Sequence, residues 1–196
     1  MPSRNWRAEL ALLARAEAFA RPFYAAPGRA YHTAEHVQAV LDALASRGVI
    51  TPTLALAAWG HDLIDDPRAE DNEVRSAAVF GEWLAAQGAD AGLVREVRAL
   101  ILATRHTDPP YTRAEALLVD ADLSILGADP ATFAACDRAI RQEYAHVPEA
   151  AYQAGRARVL RGFLERERIY TAPEFAGLEA SAKANLQAAL LQLTRS

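Results

Sequence analysis

The sequence predicts an all-α protein, a single compact multi-helix bundle that spans residues 1–196. Alanine supplies 45 of the 196 residues, and together with leucine, arginine and glutamate it makes the chain rich in strong helix formers. Apolar residues recur at helical spacing in one segment after another, and we find no alternating strand pattern. The connections are short and contain no linker, repeat or low-complexity tract, so we expect one domain.

Proline, glycine and capping residues divide the chain into nine predicted helices. The first should stop before Pro22, and the second has Thr33 as its N-cap and Gly48 after its end. The third begins at Thr51-Pro52, a favourable cap and first-turn pair. The predicted helices cover residues 4–20, 33–46, a stretch that starts at 51, 70–86, 90–104, 112–127, 130–145, 148–168 and 174–194.

Composition and charge exclude several classes of function and location. A net charge of −4 and 52% hydrophobic residues describe a globular chain with no general affinity for nucleic-acid polymers. The single cysteine, Cys136, excludes an internal disulfide and a cysteine-based zinc cluster. The N-terminus lacks the pattern of a signal peptide, and no apolar run approaches the roughly 18 residues of a membrane span. We therefore expect a cytoplasmic protein without a membrane partner, and the sequence leaves a homo-oligomer open.

The most informative stretch is LAAWGHDLIDDP, residues 56–67, where an apolar run ends in His61-Asp62. Burying an imidazole and a carboxylate is costly unless they pair or bind a metal. The dipeptide alone is expected by chance about 0.3 times in this composition, so it needs partners elsewhere in the chain. His32 and His36 lie four residues apart at the start of the second helix, so they share one flank of it. A metal site could use one or both of these histidines. Alternatively, His32 hydrogen-bonds the neighbouring backbone.

Asp122 is a second unusual residue, on the sixth predicted helix. The apolar face of that helix is built from Leu118, Val119, Ile125 and Leu126. At 100° per residue, Asp122 falls in the middle of this face and Asp120 points to the other side. A carboxylate in such a place needs a cation, a metal or several donors, so an N-cap or a buried salt bridge would also explain it. Two imidazoles and two carboxylates suit one divalent Mn, Co, Ni, Fe or Zn better than Ca, and Mg is also compatible.

The order His36, His61-Asp62, Asp122 on successive helices resembles the HD-domain superfamily of metal-dependent phosphohydrolases. The resemblance covers residues 29–193 and extends to a bacterial subfamily of predicted metal-dependent HD phosphohydrolases. It rests on the segments YHTAEHV, WGHDLIDDP, DNEVRSA, ATRHT, VDADLSILG, IRQEY, GRARVLRGFL and NLQAAL. The resemblance implies an HD-domain-like bundle in which these four residues hold the metal. Asp120 shares the DAD motif, so it is either the last ligand instead of Asp122 or a residue that supports the ligands or caps the helix.

A metal centre of this kind also needs residues that take a proton from water and bind phosphate. Glu73 or Asp66 could take a proton from the attacking water, with Asn72 beside them, although Asn72 and Glu73 could be ordinary first-turn residues. His106 stands where many superfamily members have an extra histidine, facing phosphate or a second metal, and its alternative role is to cap a helix C-terminus. Three further candidates for binding the substrate phosphate are His32, Arg141 and Arg156.

The implied function is hydrolysis of a phosphomonoester or phosphoanhydride bond, on a nucleotide or another small phosphorylated molecule. A metal-activated water would attack phosphorus. Two alternatives come from other classes: a module that senses a nucleotide with little turnover, or an oxidative enzyme with two metals such as a di-iron pair. No Walker loop or GxGxxG run is present, so kinase or dinucleotide chemistry has no support.

Overall fold

The structure, a computed structural model, describes residues 4–194 of the chain and the side chains of residues 7–194. This part contains nine α-helices, two 3₁₀ helices and no β-strand, which confirms the predicted all-α class. The α-helices are α1 (Arg4–Tyr24), α2 (Ala34–Ser46), α3 (Pro52–Gly60), α4 (Asn72–Ala86), α5 (Ala91–Ala103), α6 (Arg113–Asp122), α7 (Pro130–Glu143), α8 (Glu149–Leu164) and α9 (Glu179–Leu193). The 3₁₀ helices are Leu123–Gly127 and Pro173–Leu178.

The helices form two compact units along the chain. The first unit ends at Val119 and the second begins at Asp120, inside α6. The prediction of one domain over residues 1–196 concerns both units together, and it stays a prediction. None of the helices in the described part is both long and apolar enough to cross a membrane.

Helix α3 lies at the centre of the first unit, where it packs against α1, α2, α4 and α5. Its residues 54–60 are all buried, and a helix that is apolar on every side belongs in the interior. It begins as predicted, because the Thr51 hydroxyl accepts the N–H of Leu54 at 3.2 Å and Pro52 occupies the first turn. The His-Asp dipeptide directly follows the last residue of this central helix.

The predicted stop of the first helix before Pro22 is wrong, because α1 continues through the proline to Tyr24. Proline removes one helical hydrogen bond and usually breaks a helix. Here the last turn is held by Tyr24, whose side chain is 2% exposed and whose hydroxyl donates to the carbonyl of Trp59 at 3.1 Å. This tertiary anchor outweighs the local effect of Pro22.

In the second unit, α9 packs against α7, α8 and both 3₁₀ helices. The predicted helices 112–127 and 174–194 are each divided: α6 becomes a 3₁₀ helix after Asp122, and a 3₁₀ helix precedes α9. The first change is stabilised by Asn185 on α9, whose amide donates to the carbonyls of Leu126 and Ala128, each at 2.9 Å. The altered winding matters because it changes which side chains of this segment share a face.

Candidate metal centre

Three of the four predicted metal ligands meet in the first unit. His36 comes from the first turns of α2, and His61 and Asp62 follow the last residue of α3. The Nε2 atoms of His36 and His61 lie 3.2 Å apart. Asp62 Oδ2 lies 2.9 Å from His61 Nε2 and 3.5 Å from His36 Nε2. This group of two imidazoles and one carboxylate could hold a metal ion.

A hydrogen bond to the backbone determines which nitrogen of His61 faces this group. His61 Nδ1 lies 2.8 Å from the carbonyl oxygen of Ala58, and a carbonyl can only accept. Nδ1 therefore carries the proton, and in the neutral ring the lone pair lies on Nε2. A metal-binding histidine is usually oriented in this way, because the second ring nitrogen donates to a fixed acceptor.

The Asp62 carboxylate completes the group and is its most accessible member. Burial opposes ionisation, but in the metal-free protein the positive charge of a protonated His61 ring, with hydrogen bonds from Nε2 of His36 and of that ring, holds the pKa of Asp62 well below its usual range. The carboxylate is therefore charged at neutral pH. The Asp62 side chain is 21% exposed, whereas those of His36 and His61 are 5% and 1% exposed, so the group opens to solvent at the carboxylate.

The donor separations fit a first-row divalent metal. Metal–ligand bonds of about 2.0–2.2 Å place neighbouring donors about 2.8–3.6 Å apart, for octahedral or tetrahedral angles. The three measured separations lie within this range. Lone pairs that converge so closely also need a positive charge, supplied either by protons on the imidazoles or by a metal ion. Two nitrogen donors favour a transition metal over Ca, which prefers an all-oxygen shell.

Gly60, the last residue of α3, lies where α4 and α5 pack closely against the helix. A Cβ on Gly60 would lie 2.6 Å from Cδ1 of Phe80 and 2.7 Å from Cδ1 of Ile101, closer than side-chain atoms can pack. Gly60 therefore lets α4 and α5 approach the turn that carries His61. Sequence reasoning missed this role, although the glycine directly before the His-Asp dipeptide was a visible signal.

The loop after the dipeptide is held by residues at the start of α4. The Ser76 hydroxyl accepts the N–H of Ile64 at 2.9 Å and donates to the carbonyl of the same residue at 3.3 Å. The Asn72 amide brackets the backbone of Asp66, with its Oδ1 accepting the N–H at 3.1 Å and its Nδ2 donating to the carbonyl at 3.0 Å. The Asp66 carboxylate accepts the N–H of Arg68 at 3.0 Å. Asn72 and Asp66 therefore lie together, but the Asn72 side chain contacts the backbone of Asp66 and not its carboxylate.

The remaining candidates of the first unit lie around the group or at the end of α5. His32 precedes the N-cap Thr33, its Nδ1 lies 3.7 Å from Asp65 Oδ2, and its ring meets the His36 ring edge-on at 6.0 Å. His106 adopts the left-handed conformation, with φ of 57°, and its N–H donates to the carbonyl of Ala103 at 3.4 Å. It therefore closes the C-terminus of α5, and its role toward phosphate stays a prediction.

The second unit contains the two aspartates of the DAD motif, and one orientation predicted for them is wrong. Asp120 is fully buried instead of facing outward, and its Oδ2 accepts the N–H groups of Thr171 at 2.8 Å and Ala172 at 2.6 Å. Asp122 is half-buried and ends α6. The 100° rule fails because residues 117–121 are all buried, so both sides of this part of α6 are covered by protein. Asp122 as the fourth ligand stays a prediction.

The two predicted phosphate-binding arginines make contacts within the second unit. Arg141 donates to the carbonyls of Tyr144 at 2.7 Å and Val147 at 3.3 Å and pairs with Glu149 at 2.9 Å. Arg156 pairs with Asp137 at 2.8 Å. These contacts connect α7 with the turn and helix that follow, and the proposed phosphate contacts stay predictions.

The group His36–His61–Asp62 is therefore the part of the predicted site that the described residues bring together. It combines three donors, a fixed imidazole tautomer and an opening to solvent. These properties are those of a site that could bind a metal and leave positions for other ligands. Comparison of the chain with protein-family models, curated proteins and solved structures found no match.

Proposed function

We propose that this protein is a metal-dependent phosphohydrolase that acts on a nucleotide or another small phosphorylated molecule with one divalent transition metal. The observation that carries the proposal is the convergence of His36, His61 and Asp62, with the His61 tautomer fixed by the carbonyl of Ala58. The substrate class rests on the resemblance of the motif order to HD phosphohydrolases. Asp122 is the proposed fourth ligand.

The donor set supports a catalytic role more than a structural one. Structural zinc sites are closed tetrahedra of four protein ligands, commonly cysteines. Two histidines and two aspartates contain no cysteine, and on a six-coordinate metal such as Mn they would leave two positions open. The partly exposed Asp62 side chain gives a small molecule access to the group. When bound, the metal would supply Lewis-acid activation of water and neutralise charge on the phosphoryl group.

Among the chain's own residues, Glu73 is the better candidate for the proton acceptor. The Asp66 carboxylate already accepts the N–H of Arg68, and the backbone of Asp66 is held by Asn72. Glu73 lies in the first turn of α4, is half-buried, and makes no side-chain hydrogen bond or ion pair with the part of the chain that the structure describes. Its carboxylate is therefore available to take a proton from water.

The proposal is tested by metal analysis combined with a substrate screen. Purified protein is analysed by mass spectrometry for bound metals and assayed on nucleotides and generic phosphatase substrates with Mn, Co, Ni and Mg. The double variant His61→Ala/Asp62→Ala should lose the metal and at least about a thousandfold in kcat/KM, because both the charge and the bound water depend on it. The control His146→Ala changes an exposed histidine of the second unit and should leave both unchanged.

Each other outcome has a defined meaning. A double variant that keeps its metal and activity would disprove the assignment of the site. A wild-type protein that binds metal and nucleotide but turns over nothing would be a sensing module. Two iron atoms per chain would favour the oxidative alternative.

The proton acceptor is tested separately with Glu73→Gln and Asp66→Asn. We expect Glu73→Gln to lower kcat by about a hundredfold or more with unchanged metal content, because an amide cannot take the proton. Asp66→Asn should have the smaller effect on kcat and should mainly lower stability, because the Asp66 carboxylate accepts the N–H of Arg68 within the loop. The reverse order would assign the role to Asp66.

A further inference from the structure

We propose that Arg29 is a positioning residue for the metal centre and holds together the two backbone segments that carry its ligands. The inference rests on the proposed metal centre and concerns a residue outside the predicted site. Arg29 lies in the loop between α1 and α2 and is half-buried. Its effect would pass through the backbone, because its hydrogen bonds are with carbonyl oxygens and none is with a ligand side chain.

The guanidinium of Arg29 bridges both sides of the centre. Nη1 donates to the carbonyl of His32 at 2.8 Å and to that of Asp62 at 2.8 Å, and Nη2 donates to the carbonyl of Leu63 at 2.9 Å. The first carbonyl belongs to the segment that enters α2, four residues before His36. The other two belong to the turn that follows α3. One planar group therefore sets the distance between the two sources of ligands.

Arginine suits this position for electrostatic and geometric reasons. The C-terminal end of a helix carries partial negative charge, and a cation that binds its last carbonyls is stabilising. Helix α3 ends at Gly60, so the carbonyls of Asp62 and Leu63 lie just beyond this pole. The rigid fork of a guanidinium can hold several acceptors in one plane, whereas a lysine ammonium is a point charge on a flexible stem.

Tyr24 contacts the guanidinium of Arg29 with its ring and α3 with its hydroxyl. The Arg29 Cζ atom lies 5.0 Å from the centroid of the Tyr24 ring, within the range of a cation–π contact. The hydroxyl of this buried tyrosine donates to the carbonyl of Trp59, two residues before His61. The position of Arg29 is thus defined relative to the helix that delivers the dipeptide.

The proposed consequence is a preformed spacing of the donors. His36 and His61 lie on different segments, so their 3.2 Å separation depends on how those segments are joined. Groups that support ligands in this way typically contribute 10–100-fold to metal affinity. Loss of the Arg29 contacts would leave all the ligand side chains present. It would let the segment that enters α2 and the turn after α3 move apart.

The test compares Arg29→Gln and Arg29→Lys with the control Arg47→Gln. Arg47 is also half-buried, and its Nη1 donates to a backbone carbonyl, that of Ala43 at 3.0 Å, but it does so at the far end of α2. Affinity for Co²⁺ and Mn²⁺ is measured by competition with a chromophoric chelator. The visible absorption spectrum of bound Co²⁺ reports the coordination geometry, and denaturation of the metal-free proteins reports stability.

We expect Arg29→Gln to weaken metal binding by at least about tenfold and to change the Co²⁺ spectrum, with Arg29→Lys in between. Arg47→Gln should keep the wild-type affinity and spectrum, even if it lowers stability. Wild-type affinity and spectrum in both Arg29 variants would overturn the inference. If Arg29→Gln does not fold, the same readouts on Arg29→Lys decide.

The same measurements separate this inference from the proposed function. A wild-type protein that binds metal but hydrolyses no phosphate ester or anhydride would contradict the proposed function. The metal affinities of the Arg29 variants would still test the role of Arg29. A wild-type protein that binds no transition metal would overturn both.

Discussion

At the scale of single residues, Gly60 shows how closely the core approaches the metal centre. A Cβ at this position would overlap Phe80 and Ile101, so Gly60→Ala must displace side chains of α4 and α5 or the turn before His61. We expect a loss of about 1–3 kcal/mol in the free energy of unfolding, typical of overpacking. Metal affinity should fall as well, because His61 is the next residue. Chemical denaturation and chelator competition measure the two effects.

The matched control for this substitution is Gly155→Ala in α8. Apart from its chain neighbours and the backbone of its own helix, no atom lies within 4 Å of the corresponding Cβ position, and helix interiors favour alanine over glycine. This variant should gain about 0.5–1 kcal/mol in stability. Equal effects of the two substitutions would show that the close approach at Gly60 is unimportant.

The two aspartates of the DAD motif make a second prediction at this scale. Asp120→Asn should destabilise the metal-free protein by about 1.5–3 kcal/mol, because its buried carboxylate accepts two backbone N–H groups. Asp122→Asn should lower metal affinity by about tenfold or more, as expected for a ligand. Denaturation curves and metal titrations of both variants check this assignment. Selective loss of metal in Asp120→Asn would make Asp120 the ligand instead.

At the scale of elements, two threonines that the sequence predicts as N-caps differ in the structure. The Thr51 hydroxyl accepts the N–H of Leu54 at the start of α3, whereas the Thr33 side chain makes no capping bond to α2. Thr51→Ala should therefore cost about 1 kcal/mol, and Thr33→Ala should cost less. Urea denaturation of the two variants compares them directly. A larger loss for Thr33→Ala would contradict the capping geometry.

Glu179, the first residue of α9, connects acid stability to the segment before it. Its carboxylate accepts the N–H groups of Ile169 and Tyr170 and pairs with Lys183 at 2.9 Å. Burial opposes ionisation, but these hydrogen bonds lower the pKa of Glu179 from its ordinary value. A lowered pKa in the folded state stabilises the protein above the unfolded pKa, and this contribution is lost as pH falls through the folded pKa.

Glu179→Gln should therefore reduce stability at neutral pH and flatten its decline in the acid interval below the ordinary glutamate pKa of 4.5. Denaturant titrations across this interval measure the effect. The exposed Glu167→Gln serves as control and should follow the wild-type profile. An unchanged acid slope in Glu179→Gln would contradict the proposed linkage.

At the scale of the whole molecule, metal binding should stabilise the folded chain. A free metal concentration a hundredfold above Kd adds about 2.7 kcal/mol, which raises Tm by roughly 5–11 °C for a chain of this size. Hydrogen exchange should slow in residues 29–37 and 58–76, which carry the three converging donors. Slower exchange in residues 119–127 as well would support Asp122 as the fourth ligand. In the double variant His61→Ala/Asp62→Ala, added metal should neither raise Tm nor slow hydrogen exchange.

The helices could be predicted from the sequence because their signals are local. Thr51 and Gly48 mark helix ends by their own hydrogen bonding and backbone conformation, and the structure has both in those roles. The end of α1 could not be predicted, since the anchor of Tyr24 lies 35 residues away and overrides Pro22. The orientation of Asp120 was missed for a similar reason, because the N–H groups that its carboxylate accepts lie 51 and 52 residues away in the sequence.

The candidate site divides in the same way. His36, His61 and Asp62 were recognisable because buried imidazoles and carboxylates are unusual residue types for an apolar environment. Arg29 and Ser76 were not recognisable, because they act on backbone carbonyl and amide groups. Every residue has such groups, so no sequence pattern marks which of them an arginine or a serine will reach.

The burial of Trp59 gives this chain an internal optical reporter. Its indole is 4% exposed, meets the Tyr24 ring edge-on and belongs to the residue two positions before His61. Fluorescence from a buried indole is quenched when a coloured, paramagnetic ion such as Co²⁺ binds nearby. Ion uptake can therefore be followed in the unlabelled chain, with Trp59→Phe to remove the signal and Trp83→Phe, on α4, to retain it.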